Sequence, residues 1–172
     1  SRGLGDVYKR QEPTDVISSQ TDRRNRSRIN SLRNKSREVG ESGKRMGAGV
    51  LNTYPDLLPV TSATPIITMG EGDTPLVRSN RLGRELGCTE LYFKLEGCNP
   101  TGSFKDRGMV MAIAKALEEG TKAIMCASTG NTSASAAAFG AYCDIPTFVL
   151  IPKGEVAMGK LAQAMIYGAK VI

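Results

Sequence analysis

Read for its apolar and polar positions, the chain changes character at about residue 46, and from Leu91 onward short apolar runs alternate with longer periodic stretches. Leu91-Tyr-Phe-Lys-Leu95 has the composition of a strand. After a turn through Asn99, Pro100 and Gly102, the pattern predicts a helix to about Glu119, with Val110, Ile113, Ala114 and Leu117 on one face and Gly120 as its stop. Lys122-Ala-Ile-Met-Cys-Ala127 is short and apolar enough for a strand buried on both faces. A helix of small residues from about Thr132 to Tyr142 follows, then a strand at Thr147-Phe-Val-Leu-Ile151, a helix from about Val156 to Tyr167 and a strand beginning at Lys170. Strand and helix units of this length imply parallel strands joined by right-handed crossovers, so the fold class is α/β with a parallel sheet.

Upstream the pattern weakens. From Pro59 to Thr74 prolines and glycines predict irregular chain, with one short strand around Ile66-Ile-Thr68. A short helix capped by Asn80 runs to about Leu86 and stops at Gly87. Residues 1–45 hold no helical or strand period and read as a disordered basic tail. Within it Gly3-Leu-Gly-Asp-Val-Tyr-Lys-Arg-Gln11 resembles translated read-through; Met46 is the expected natural start and residues 46–172 the expected folded domain, with a βαβαβ unit over about 88–172.

Charge sharpens this division. The formal net charge is +6, but residues 1–45 carry 12 of the 23 Lys and Arg and 6 of the 17 Asp and Glu, leaving 11 of each beyond. A neutral globule implies no nucleic-acid face. The chain has no histidine, and Cys88, Cys98, Cys126 and Cys143 show no C-x-x-C spacing, so neither a zinc site nor a Cys–His or Ser–His pair is supported. The cysteines read as reduced thiols of a cytoplasmic protein, and no apolar run is long enough to span a membrane.

Two stretches carry candidate chemistry. Lys105 falls at the first turn of its helix, where the dipole and open N–H groups disfavour a cation and favour the free amine that attacks an aldehyde. Taken alone, a lysine there reads first as a solvated side chain partnered by Asp106. Ser128-Thr-Gly-Asn-Thr-Ser133 lies between a strand end and a helix start, where ligands of parallel sheets bind; its N–H groups and hydroxyls suit a carboxylate, or serve as a plain cap and turn. The small residues Ala134 to Ala141 read as a packing surface. Gly154-Glu-Val-Ala-Met-Gly-Lys160 approaches a phosphate-binding loop, but Leu161 stands where a magnesium-binding hydroxyl is needed, so Lys160 reads as a solvated residue of a first helical turn.

Taken together the motifs show a resemblance. Glu96-Gly-Cys-Asn-Pro-Thr-Gly-Ser-Phe-Lys-Asp-Arg-Gly108 resembles the cofactor-lysine segment of pyridoxal-phosphate enzymes of the tryptophan-synthase-β type, most of all that of threonine synthases. Gly70-Glu-Gly-Asp-Thr-Pro-Leu76 and Ser128-Thr-Gly-Asn-Thr-Ser-Ala-Ser135 fit the same family in the same order, and the resemblance covers roughly Val50 to Ile172. It implies an incomplete three-layer αβα sandwich of the fold-type-II kind and pyridoxal 5'-phosphate carried on Lys105. Asn131 would lie beside the cofactor's phenolic oxygen, and Ser128, Thr129, Asn131 and Thr132 would bind substrate, with Thr132 nearest the departing phosphate. Phe104, Asp106 and Arg107 would hold the lysine. The turn Glu71-Gly-Asp-Thr-Pro75 reads both as a plain loop and as a shaper of the site entrance.

The implied reaction converts O-phospho-L-homoserine and water to L-threonine and phosphate, in a homodimer when full length. A serine or threonine dehydratase, a cysteine synthase, or a non-catalytic module of the same fold is the alternative. No family-type glycine-rich loop for the cofactor phosphate is found, so these residues alone are expected to bind cofactor poorly.

Overall fold

The computed structural model describes residues 47–152 and 158–172; the basic stretch 1–45, Met46 and most of the Gly154–Lys160 motif, with the expected helix start at Val156, lie outside the described residues. In chain order the elements are α1 (Val50–Thr53), β1 (Leu76–Arg78), α2 (Asn80–Glu85), β2 (Tyr92–Lys94), α3 (Lys105–Glu118), β3 (Ile124–Ala127), α4 (Asn131–Tyr142), β4 (Thr147–Leu150), α5 (Met158–Ile166) and β5 (Lys170–Val171). Strand β4 is central, parallel to β3 from Ile124 opposite Thr147 to Ala127 opposite Leu150, and parallel to β5 on its other side. This is the α/β alternation that the apolar pattern implied.

Helix α4 packs on the sheet against β3 and β4, with α3 and α5 packed against α4. Val110, Ile113, Ala114 and Leu117 of α3 are all buried, joined by Phe139 of α4, by Cys143 just after it and by Ile145, Val50, Leu51 and Ile67. Each such aliphatic side chain contributes roughly 1.5–3 kcal/mol when removed from water. Helix α4 is buried at every position from Ser133 to Gly140, so its small residues serve close packing against α3, α5, β3 and β4. Gly140 marks the tightest approach: a Cβ there would stand 2.0 Å from Thr147 Oγ1. A second cluster joins Ala137 of α4, Val149 of β4 and Ala164 of α5.

Three expectations need correction. Strand β3 is not buried on both faces: its residues alternate, with Met125 64% exposed, because the described residues place helices on only one side. Ile66-Ile-Thr68 forms no strand. The Thr68 hydroxyl and the Met69 N–H both donate to Glu71, and this side-chain acceptor takes the place of a neighbouring strand. The short helix begins at Asn80 with Ser79 as its cap residue, whose carbonyl accepts the Gly83 N–H at 3.2 Å. Strand β2 stands apart from the parallel sheet, paired antiparallel with β1. Among the described residues no helix is long and apolar enough to cross a membrane.

Candidate active site

The segment ahead of Lys105 is a turn braced from several directions. The Gly102 N–H donates to the Asn99 carbonyl at 2.8 Å, and Gly102 sits at φ 79, a left-handed conformation that glycine adopts without a Cβ penalty. Asn99 is buried; its amide nitrogen donates to the Glu96 carboxylate at 2.9 Å and its oxygen accepts the Gly72 N–H at 3.0 Å. Glu96 in turn accepts two hydrogen bonds from the Arg107 guanidinium, at 2.8 and 2.9 Å, and one from Thr74 at 2.8 Å. The Arg107 hydrogen bonds, opposed by burial and assisted by Thr74 and Asn99, bring the Glu96 carboxyl down to about 2. The Gly70–Leu76 stretch is thereby fastened to the lysine segment.

Glu71 is a fully buried carboxylate in that stretch. It accepts the Val50 N–H at 3.0 Å, the Met69 N–H at 2.9 Å and the Thr68 hydroxyl at 3.0 Å, which accounts for it as a structural staple.

Lys105 is the first residue of α3 and half-buried, with its N–H donating to Ser103 Oγ at 3.3 Å. Its Nζ lies 4.7 Å from the centre of the Phe104 ring, a cation–π distance. The pairing with Asp106 does not occur. Asp106 is fully buried and turned the other way, accepting the Thr101 N–H at 2.7 Å, the Thr101 hydroxyl at 2.6 Å and the Ser135 hydroxyl at 2.6 Å.

The Ser135 bond brings the two stretches of candidate chemistry together. Ser135 lies four residues after Asn131, hence on the same face of α4, while Asp106 adjoins Lys105. One hydrogen bond thus holds the first turn of α3 beside the start of α4. Between the carboxyl end of β3 and α4, the half-buried loop of Ser128, Thr129 and Gly130 is shaped by the Gly130 N–H donating to Ser128 Oγ at 3.2 Å and by Ser133 Oγ donating to the Gly130 carbonyl at 2.7 Å. Gly130 offers no side chain to cap α4, so the first-turn N–H groups face the loop, open to an anion. Thr129, Asn131 and Thr132 are half-buried on its rim.

Lys160 is the clearest departure from expectation. It is not merely solvated: Nζ donates to the Thr101 carbonyl and to Gln163 Oε1, both at 3.1 Å. Thr74, Glu96, Ser135 and Gln163 had no individual role assigned from sequence, and Asn99 only that of a turn residue. Their partners are up to 62 residues away, and nothing in local spacing signals them.

A primary amine in no ion pair among the described residues, half-buried at the carboxyl end of a parallel sheet and backed by open helix N–H groups, is a fitting seat for an aldehyde cofactor with an acidic co-substrate. Residues 67–172 match the model of a family described as pyridoxal-phosphate dependent enzyme. The chain belongs to this family. A threonine synthase of Halalkalibacterium halodurans is 59% identical over 72% of this chain and 35% of its own length. One from Methanocaldococcus jannaschii is 57% identical over 69% of this chain and 29% of its own. The chain therefore spans about a third of the curated relatives it matches.

Among solved structures, a pyridoxal 5'-phosphate-dependent aspartate racemase aligns with a TM-score of 0.54 and 32% identity, over 58% of this chain and 32% of that one. An O-ureido-L-serine synthase aligns at 0.52 and 26%, with the same coverage. These neighbours place the described residues in the fold-type-II scaffold of the family, of which part is present here. Enzymes of the family bind a small-molecule substrate, and pyridoxal phosphate is their cofactor.

Proposed function

We propose that the full protein is a threonine synthase, converting O-phospho-L-homoserine and water to L-threonine and phosphate. The observation that carries this is the Asp106–Ser135 hydrogen bond, which sets a half-buried Lys105 amine, in no ion pair among the described residues, beside the Ser128–Thr132 loop. The high identity to relatives named threonine synthase supports the choice among reactions that share the scaffold, since the solved neighbours carry other names at lower identity.

In this reading Lys105 carries the cofactor and moves protons among the α, β and γ carbons of the substrate. Pyridoxal phosphate, when bound, supplies the electron-withdrawing ring that makes those protons removable. The N–H groups at the start of α4, with Ser128 and Thr129, hold the substrate's carboxylate; Asn131 faces the cofactor ring, and Thr132 lies toward the phosphate that departs. Phe104 covers the amine, while Asp106 and Arg107 fix the turn and helix from which it projects. Residues 46–172 form the N-terminal part of the enzyme domain and residues 1–45 a separate tail; the full protein is a cytoplasmic homodimer.

Borohydride reduction of the full-length protein with pyridoxal phosphate, followed by peptide mapping, is expected to place the adduct on Lys105. Threonine and phosphate are expected in equal amounts from O-phosphohomoserine. An adduct elsewhere, or a keto acid in place of threonine, would overturn the proposal.

A further inference from the structure

Thr101 is 2% exposed, and all of its polar atoms are engaged by other groups. Asp106 accepts from its amide and its hydroxyl. Its carbonyl accepts two hydrogen bonds from α5, from Lys160 Nζ at 3.1 Å and from Gln163 Nε2 at 3.2 Å. Lys160 also donates to Gln163 Oε1 at 3.1 Å, so the two donors, three residues apart on one face of α5, fix each other. The Lys160 ammonium passes over Gly102 closely enough that a Cβ there would lie 3.8 Å from Nζ.

We infer that Lys160 and Gln163 are positioning residues for Lys105, acting through the Thr101 carbonyl. Only Gly102, Ser103 and Phe104 separate Thr101 from Lys105, and Gly102 is the conformationally freest residue of the turn. Asp106 restrains this turn from the α3 and α4 side. The Gly102 N–H, bonded to the Asn99 carbonyl, holds one edge of the peptide plane between Thr101 and Gly102; its carbonyl edge, which sets the direction in which the chain enters α3, needs a restraint of its own. The α5 pair supplies that restraint, a charge-assisted hydrogen bond doubled by a neutral one on the same oxygen. Lys105 projects from the first turn of α3, so the aim of its Nζ is set in part by α5, the helix that follows β4 in the chain. The inference rests on the reading of Lys105 as the cofactor lysine.

The test uses the full-length protein and the substitutions Lys160→Met, Gln163→Glu and Lys160→Arg. Gln163→Glu keeps the acceptor for Lys160 but removes the donor to Thr101, and Lys160→Arg keeps a cationic donor. In the cofactor-free protein, deuterium exchange at the amides of residues 101–105 is expected to quicken about tenfold in Lys160→Met and severalfold in Gln163→Glu, with Lys160→Arg close to wild type. The rate of borohydride-trapped adduct formation at Lys105 should fall in the same order. Exchange in residues 101–105 unchanged in both disruptive variants would overturn the inference, as would an increase spread equally over β4 and α5. Failure of the wild-type protein to trap cofactor on Lys105 would instead overturn the functional reading, and the exchange data would still report on the clamp.

Discussion

At the scale of single residues, two carboxylates of the lysine motif do different work, and their environments say how each fails. Asp106 is fully buried with three donors aimed at it. Asp106→Ala strands the Thr101 amide and hydroxyl and the Ser135 hydroxyl, and in the full-length protein should cost about 3 kcal/mol. Ser135→Ala removes one of the three and should cost about 1 kcal/mol, read by urea unfolding. Glu96 is held at about 2 by Arg107, with Thr74 and Asn99. A folded-state value below the ordinary 4.5 means that this carboxylate adds stability above about pH 4.5, and that the contribution is lost as the pH falls toward 2. The stability gap between wild type and Glu96→Gln is therefore expected to be largest near neutral pH and to close between pH 4.5 and 2, which chemical denaturation at a series of pH values would follow. A gap that stays constant with pH would mean that Glu96 acts by shape rather than charge.

Between elements, the decisive contact is that of α4 with the sheet. Gly140 has no room for a side chain, since Thr147 Oγ1 would meet an added Cβ at 2.0 Å and the Ile145 carbonyl at 3.2 Å. Gly140→Ala must push α4 off β4. The gain in helix propensity, about 1 kcal/mol, is smaller than the strain of overpacking a helix buried at eight successive positions, so a net loss of about 2 kcal/mol is expected in thermal unfolding. The small-residue helix and its packing role were legible in the sequence because a run such as Ser133-Ala-Ser-Ala-Ala-Ala138 has only one way to be useful against a sheet. The apolar face of α3 was legible for the same reason, and so were the α/β order and the placing of Lys105 and Asn131 near helix starts. The burial of β3 was not, because one run of apolar residues suits either one covered face or two. The bonds that join the motifs were not either: Asp106 to Ser135 and Lys160 to Thr101 cross 29 and 59 residues, and they exist only once the turn and the helices have docked.

For the molecule as a whole, the surface is as informative as the core. Leu76 on β1, Leu86 after α2, Met125 on β3 and Ile166 on α5 are between 61% and 83% exposed, and both strands of the β1–β2 ladder are exposed at every position. Apolar surface in such quantity is uncommon on a finished monomer. The relatives are about three times as long as the matched region, which gives that surface chain to rest against. Equal numbers of acidic and basic residues beyond residue 45 leave no net charge to keep exposed copies apart. Residues 46–172 produced alone are therefore expected to bind a hydrophobic dye strongly and to associate at micromolar concentration. They should also fail to trap pyridoxal phosphate on Lys105 under conditions where the full-length protein does, because only one side of the site is built. A monodisperse, dye-silent preparation of residues 46–172 that forms the Lys105 adduct at micromolar cofactor would show that this half of the cleft suffices, and would move the origin of cofactor affinity into the turn that Asp106 and α5 hold.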